Sequence, residues 1–426
     1  MTKLPVLAVA LALLGGCATV PQSSPDGELD RLAEAYVKTS LEIGTHEESY
    51  IDAYYGPPEW KAAAQAKPRD KAALIVEVAR LRTAVGAVAV TEPLLVDRRD
   101  NLKAQLRAAD ARLRMLSGER FSFDEEARLL YGAAPQVRSL SSFDAALVTL
   151  DKLLPGPGSL ADRATAYNDR FIIPDQKVDD AIIAATAACK ASAARHIPMP
   201  RGENYKLELV RDKVWSGYNW YKGNAQSLIQ VNLDSDVTPD RAVVLGCHEG
   251  YPGHHLYNAL LEERLTRGRG WREFSVYPLY SPQSLLAEGS ADYGKTLAFD
   301  DAGLLALVRD TLFPIAGFDP AEAPRYLAFL KAQADLEEAS PMIGRELIDG
   351  RMSDAEAIAA YRKYSLRNEA QAKRQLAFAK ANRAYIINYV TGEHMVKAWI
   401  DAHVATGMTQ WQAMELLLTT PVVLRQ

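Results

Sequence analysis

Residues 238–255 read TPDRAVVLGCHEGYPGHH, a helix start that runs into three of the chain's seven histidines. Thr238-Pro239 supplies a capping residue followed by proline at the first helical position, where its missing N–H costs nothing. The apolar run that follows ends in His248, Glu249, His254 and His255. A His-Glu pair with a further histidine nearby is the raw material of a zinc hydrolase. Neutral imidazoles bind the metal, and the adjacent glutamate takes a proton from the attacking water.

The spacing departs from the usual one. In H-E-x-x-H the two histidines share a helical face at i and i+4, but here i+4 is Pro252 and the next histidines fall at i+6 and i+7. Zinc–nitrogen bonds of about 2.0–2.1 Å require ligand nitrogens only about 3.3 Å apart. Seven residues of continuous helix rise about 10.5 Å, so an unbroken helix cannot bring His248 and His255 to one ion. Pro252 has no N–H to give to the carbonyl of His248. Gly253 is free to adopt positive φ. The helix is therefore expected to end or bulge just after Glu249 and to fold a histidine back toward the first. His254 is the expected second ligand and His255 the alternative.

QSLLAEGSADYG, after a second Ser-Pro helix start at Ser281-Pro282, supplies a third ligand. Glu288 and Asp292 stand at i and i+4 on one face. Glu288 would complete the set, and Asp292 would hold the far nitrogen of a ligand histidine. Two nitrogens and one carboxylate suit zinc, one ion per chain.

HEGYPGHH followed by AEGSADYG resembles the bacterial family called domain of unknown function 885, with its H-E-x-x-P-G-H and later E-G-x-A. That family is similar in turn to the gluzincin metallopeptidases. The likeness is strong over about 245–295 and looser from Tyr50–Trp60 (YIDAYYGPPEW) to Tyr389-Val390-Thr391-Gly392. The resemblance implies His248, His254 and Glu288 as ligands and Glu249 as general base. Ser290 stands where the family often has tryptophan, and Tyr257 where it often has glutamine.

Outside this core, apolar spacing such as Leu74, Val76, Val78, Leu81 and Leu102, Leu106, Leu113 predicts helices over 28–200. Capping boxes are read at Ser122/Glu125, Ser353/Glu356 and Thr409/Gln412. Pro155–Gly158 (PGPG) is a break. Residues 203–235 alternate instead: Ser227, Ile229, Val231 and Leu233 face one way, and Leu228, Gln230 and Asn232 the other. The fold expected is mainly α with a small antiparallel sheet around a gluzincin-like core. The N-terminal helical portion (28–200) and the metal-binding portion (201–426) would form one continuous unit.

The chain opens MTKLPVLAVALALLGGC. A lysine, a short apolar run and small residues before Cys17 read as a lipoprotein signal peptide over 1–17, with a tether over 18–27. The stretch resembles the bacterial lipobox, and that resemblance implies that Cys17 is lipidated and, with Ala18 rather than aspartate after it, that the protein sits on the periplasmic face of the outer membrane. Cys189 and Cys247 are open to pairing or to burial as free thiols. A net charge of -5 gives no reason to expect nucleic acid. Tyr389 and Arg383 are candidates to stabilise an oxyanion. The strand carrying Gln230 and Asn232 is a candidate for peptide binding by strand addition. His46, His196, His394 and His403 are read as structural.

The whole reading is of an exported zinc hydrolase of peptide or related amide bonds. The alternatives are a hydrolase of non-peptide amides or cell-wall material, and a non-catalytic metal-binding lipoprotein.

Overall fold

The computed structural model describes residues 25–213 and 215–426, so the leader, Cys17 and most of the tether lie outside the described residues. The first described helix, Pro25–Ile43, already includes residues 25–27. Asp26 and Asp30 on it pair with Arg98, whose guanidinium is fully buried and also binds Glu273 at 2.6 Å.

The fold is mainly helical with a small amount of sheet. Local chemistry accounts for much of it. The three expected capping boxes form, and a fourth is made by Asn368 and Gln371. Ser159 caps the helix after the PGPG break. Along Lys71–Ala87 the buried stripe is Leu74, Val78, Leu81 and Val85, whereas Val76 is 69% exposed. Val76 lies half a turn from Leu74 and Val78, so helical periodicity turns it to solvent.

Strand β1 (Ile51–Tyr54) pairs antiparallel with the later β5 (Val276–Pro278). Between them in the chain come β2 (Asn204–Val210), β3 (Gly217–Gly223) and β4 (Gln226–Asn232), in the order β2-β4-β3. The antiparallel pairing is that of β3 with β4; β2 adds to the other side of β4 in parallel. Ser227, Ile229 and Val231 are buried, as alternation requires. Because β4 is the middle strand, both its edges are filled. Gln230 bonds Trp220 and Glu208, and Asn232 bonds the carbonyls of Lys213 and Trp215. Strand addition at β4 is therefore excluded.

Two hydrophobic cores meet at the helix Pro282–Ala298. Leu285 packs with residues from 29–134 and 384–387, while Leu286 and Ala287 pack with residues from 143–424. Glu288 is carried on the seam between them. The helix Val390–Val404 crosses closely here: a Cβ on Gly289 would sit 2.3 Å from the carbonyl carbon of Gly392. Only glycine permits that approach, and it brings the segment Arg383–Tyr389 against Glu288.

Candidate metal centre

The helix Pro239–Leu245 widens into a π-helical turn over Gly246–Gly250, passes through a cis Tyr251–Pro252 bond and restarts as the helix His254–Leu261. The expected interruption after Glu249 is present, but Gly253 serves it differently from the expectation. Its φ is -74°, not positive. Its amide bonds the carbonyl of Cys247 at 3.0 Å, and a Cβ there would lie 1.8 Å from the carbonyl oxygen of His248. Glycine is needed for space, so that the returning chain can lie on the end of the helix it left.

The return brings three groups together. The Nε2 atoms of His248 and His254 lie 3.2 and 3.8 Å from Oε2 of Glu288, and the candidate ligand atoms of the three residues are all within 4.8 Å of one another. Two ligands at about 2.0–2.2 Å from a tetrahedral ion are about 3.4 Å apart, so this spacing suits one small cation. The two imidazoles meet edge to face at 4.6 Å.

Hydrogen bonding leaves one ligand atom free on His248 and on Glu288. Asp292 Oδ1 holds His248 Nδ1 at 2.8 Å, which turns Nε2 toward Glu288. Tyr385 donates to Glu288 Oε1 at 2.7 Å, and Glu288 Oε2 is buried without a hydrogen-bond partner. Oε2 of Glu249 is orphaned in the same way, while the main-chain carbonyl of Glu249 is held by Asn219 at 2.6 Å. An unsatisfied buried polar group costs about 1–3 kcal/mol, and a charged one more, so two together indicate a site that a bound group completes.

The electrostatics agree. Burial and the neighbouring His248 charge lower the His254 pKa to about 4, which keeps its ring neutral as a ligand must be. Burial opposes charge on His248, but Asp292, Glu288 and Glu249 outweigh it and favour a cation at that ring. For Glu288, burial is overcome by His248, His254 and Tyr385, and its pKa falls to about 2. Glu249 goes the other way: burial, with Glu288 and Asp52 acting against His248 and Arg241, raises it to about 7. Two carboxylates of one site are thus pushed apart, one toward permanent charge and one toward proton exchange.

His255 takes no part in the cluster. It is fully buried, and its ring bonds Ser227 Oγ at 2.8 Å and Glu203 Oε2 at 3.0 Å. Tyr389 lies beside Tyr385, ring centroids 6.0 Å apart, and burial with the charges of Glu288, Asp292 and Glu249 raises its pKa far above the usual range. Arg383 does not reach the centre. It bonds Glu126 at 2.6 Å and the carbonyl of Phe121, and so anchors the Tyr385 segment instead. The remaining histidines are apart from the cluster: His46 bonds the carbonyl of Arg69, His196 stacks on Trp411, His394 sits against Glu338 and His403 bonds the carbonyl of Trp399.

Three neighbours escaped the sequence reading. Tyr385 is one. Tyr218 and Asp52, bonded to each other, are the others, and both feel the charge of Glu288. Asp52 belongs to the stretch YIDAYYGPPEW, which entered the sequence reading only through the looser part of the family likeness. Cys189 and Cys247 form a disulfide that ties the helix Asp175–Ala193 to the residue before His248.

The fold and this cluster define a mainly helical protein with a His/His/Glu arrangement fit for one metal ion. No family model and no curated protein matches the chain, so the resemblance to the domain of unknown function 885 family rests on its motifs. Among solved structures the chain is similar to a candidate lipoprotein from Colwellia psychrerythraea. The TM-score is 0.50 at 15% identity, over 95% of this chain and 75% of that one. It is also similar to a candidate lipoprotein of unknown function from Shewanella oneidensis, with TM-score 0.46, 12% identity, and 85% and 73% covered. A third similar structure is a carboxypeptidase from Pyrococcus furiosus, with TM-score 0.46, 10% identity, and 93% and 88% covered.

Proposed function

We propose that the protein is a zinc-dependent hydrolase of peptide or related amide bonds, with His248, His254 and Glu288 as metal ligands and Glu249 as general base. The observation that carries this is the convergence of two imidazole nitrogens on the unpartnered Oε2 of Glu288, with the second unpartnered carboxylate oxygen, on Glu249, in the residue next to His248. A bound zinc ion would supply Lewis-acid polarisation of the scissile carbonyl and lower the pKa of the attacking water. Glu249 accepts that water's proton, which its raised pKa suits, and passes it to the leaving nitrogen. Asp292 fixes the His248 ring, and Tyr385 fixes Glu288. Tyr389, whose phenol feels the charges of Glu288 and Glu249, would donate to the oxyanion.

We also propose export and lipid anchoring through Cys17, on the periplasmic face of the outer membrane. The leader's composition supports this, and the Cys189–Cys247 disulfide suits an oxidising compartment. No described helix is long and apolar enough to cross a membrane. The test is metal analysis of the purified protein with hydrolysis of blocked and free peptides, non-peptide amides and muropeptides. Stoichiometric zinc and peptide turnover that Glu249→Gln abolishes are expected. Zinc without turnover of any substrate removes the enzymatic reading.

A further inference from the structure

A cavity of about 810 Å³ lies between the helices Lys71–Ala87 and Pro93–Leu116, the turn at Gly132 and the tail Val423–Gln426. That size is in the range of sites for small organic ligands. No residue lining it belongs to the metal centre. The tail is tied down and forms a fixed wall. Asn101 holds the carbonyl of Val422 at 3.3 Å, and Arg425 pairs with Asp100 at 3.2 Å. The Gln426 side chain takes the N–H of Ala134 at 3.1 Å and donates to its carbonyl.

The lining is cationic. Arg82, Lys103, Arg107 and Arg425 face one carboxylate side chain, Asp100. Asp100 is divided among three cations, Arg99 and Arg425 at 3.2 Å and Lys103 at 3.7 Å. Arg82 reaches past the lining to Asp110 at 3.2 Å, which Arg114 also approaches at 3.7 Å. Among the described residues the main-chain carboxylate of Gln426 pairs with none of these cations.

Arg107 has no such partner, and its surroundings make that costly. Its Nε bonds the carbonyl of Leu129 at 3.1 Å, and its Nη2 is buried with no hydrogen-bond partner. Of the described arginines that are not exposed, no other has a terminal nitrogen in that state. Gly132, at φ 81°, leaves the space beside it: a Cβ there would stand 3.0 Å from Nη2. Burial, and then the charge of Arg82, works against the positive charge of Arg107. A buried charged donor that neither protein nor solvent satisfies marks a place where a bound group completes the structure.

The donors also select the anion. They come from three separate segments, so they approach from several sides of the cavity and do not form one flat fork. A carboxylate offers two oxygens in one plane. A phosphate offers oxygens on several sides and can serve guanidinium and ammonium groups together. The cavity is far larger than a phosphate, and Ala79, Ala104 and Val423 add apolar surface to its wall. We infer that this cavity binds a phosphate ester, with Arg82, Lys103, Arg107 and Arg425 as donors to the phosphate and its organic part against the apolar residues. That chemistry has two sources, a soluble phosphate monoester and a phospholipid headgroup.

The test is calorimetric titration of the full-length protein at one low ionic strength, because salt screens such contacts. The probes are glycerol 3-phosphate, glycerol, and dihexanoylphosphatidylglycerol below its micellar concentration. At least one phosphate probe is expected to bind at least about tenfold more tightly than glycerol. Arg107→Gln and Lys103→Gln should each weaken that binding about tenfold, the worth of one charge-assisted hydrogen bond, and Arg107→Lys should retain part of it. Lys103 is exposed and its pairing with Asp100 is long, so Lys103→Gln keeps the fold and gives a reading even if Arg107→Gln does not. Tighter binding of glycerol 3-phosphate upholds the site and assigns it to a soluble ester; tighter binding of the lipid upholds it and assigns it to a headgroup. Equal binding of glycerol and the phosphate probes, phosphate binding that survives both substitutions, or no binding of any probe overturns the inference.

Discussion

His254 and His255 are neighbours in the chain with opposite surroundings. His255 is enclosed and satisfied. Ser227 takes one ring nitrogen and Glu203 the other, and Glu203 is itself gripped by Lys190 at 2.5 Å and by the Tyr251 hydroxyl. His254 faces His248 and a carboxylate oxygen that nothing in the protein satisfies. One polar network is complete and braces the Tyr251–Gly253 turn; the other is left open. Both are buried and rich in charge, so burial alone does not mark a functional site. Unmet hydrogen-bonding capacity does.

The contrast can be broken by exchange. The largest effect is expected at the open network, where Glu249→Gln should lower turnover by about 10²–10⁴-fold, the usual contribution of general acid–base catalysis, while zinc content stays stoichiometric. Activity assays with parallel metal analysis check this; activity within a few-fold of wild type would remove Glu249 from the mechanism. Next, His254→Ala should lose stoichiometric zinc and His255→Ala should keep it. If the two behave alike in metal analysis, the division drawn here is wrong. Asp292→Asn should weaken zinc binding by about 10–100-fold in a chelator competition, because the His248 ring loses the partner that orients it.

The closed network is expected to show itself in stability. Burial opposes the charge on Glu203, but His255, Lys190 and Tyr251 lower its pKa from 4.5 to about 2. The unfolded chain therefore binds its proton first as pH falls. The stability that the ionised group contributes is whole above the unfolded value and drains away as pH drops through the folded one. Glu203→Gln should flatten this part of the acid-unfolding profile between about pH 5 and pH 2, seen in thermal melts across that range. An unchanged slope would mean that Glu203 is not the linked group. The smallest effect is expected for His255→Ala, about 1–3 kcal/mol in denaturant unfolding, for one buried pair of hydrogen bonds lost.

Features set by neighbours in sequence were the legible ones. Capping boxes span three residues, the β4 alternation spans seven, and the steric problem at Pro252 sits within the motif itself. His248, His254 and Glu288 could be named because ligand chemistry restricts residue type and spacing together. What escaped depends on groups distant in the chain. Tyr385 reaches Glu288 across 97 positions, Tyr218 reaches Asp52 across 166, and Cys189 meets Cys247 across 58. No local pattern sets such meetings; the packing of distant segments does, within a single core in the case of Cys189 and Cys247. Arg383 shows the converse error. A plausible residue type in a plausible segment proved to be engaged by Glu126, a partner 257 positions earlier that no local pattern pairs with it.

The most direct test is a crystal of the zinc-loaded protein with anomalous scattering measured at the zinc edge. One peak is predicted per chain, at about 2.0–2.2 Å from Nε2 of His248, Nε2 of His254 and a carboxylate oxygen of Glu288. A zinc-saturated crystal with no peak among these three side chains, or with the ion bound by His255 instead, would contradict the account.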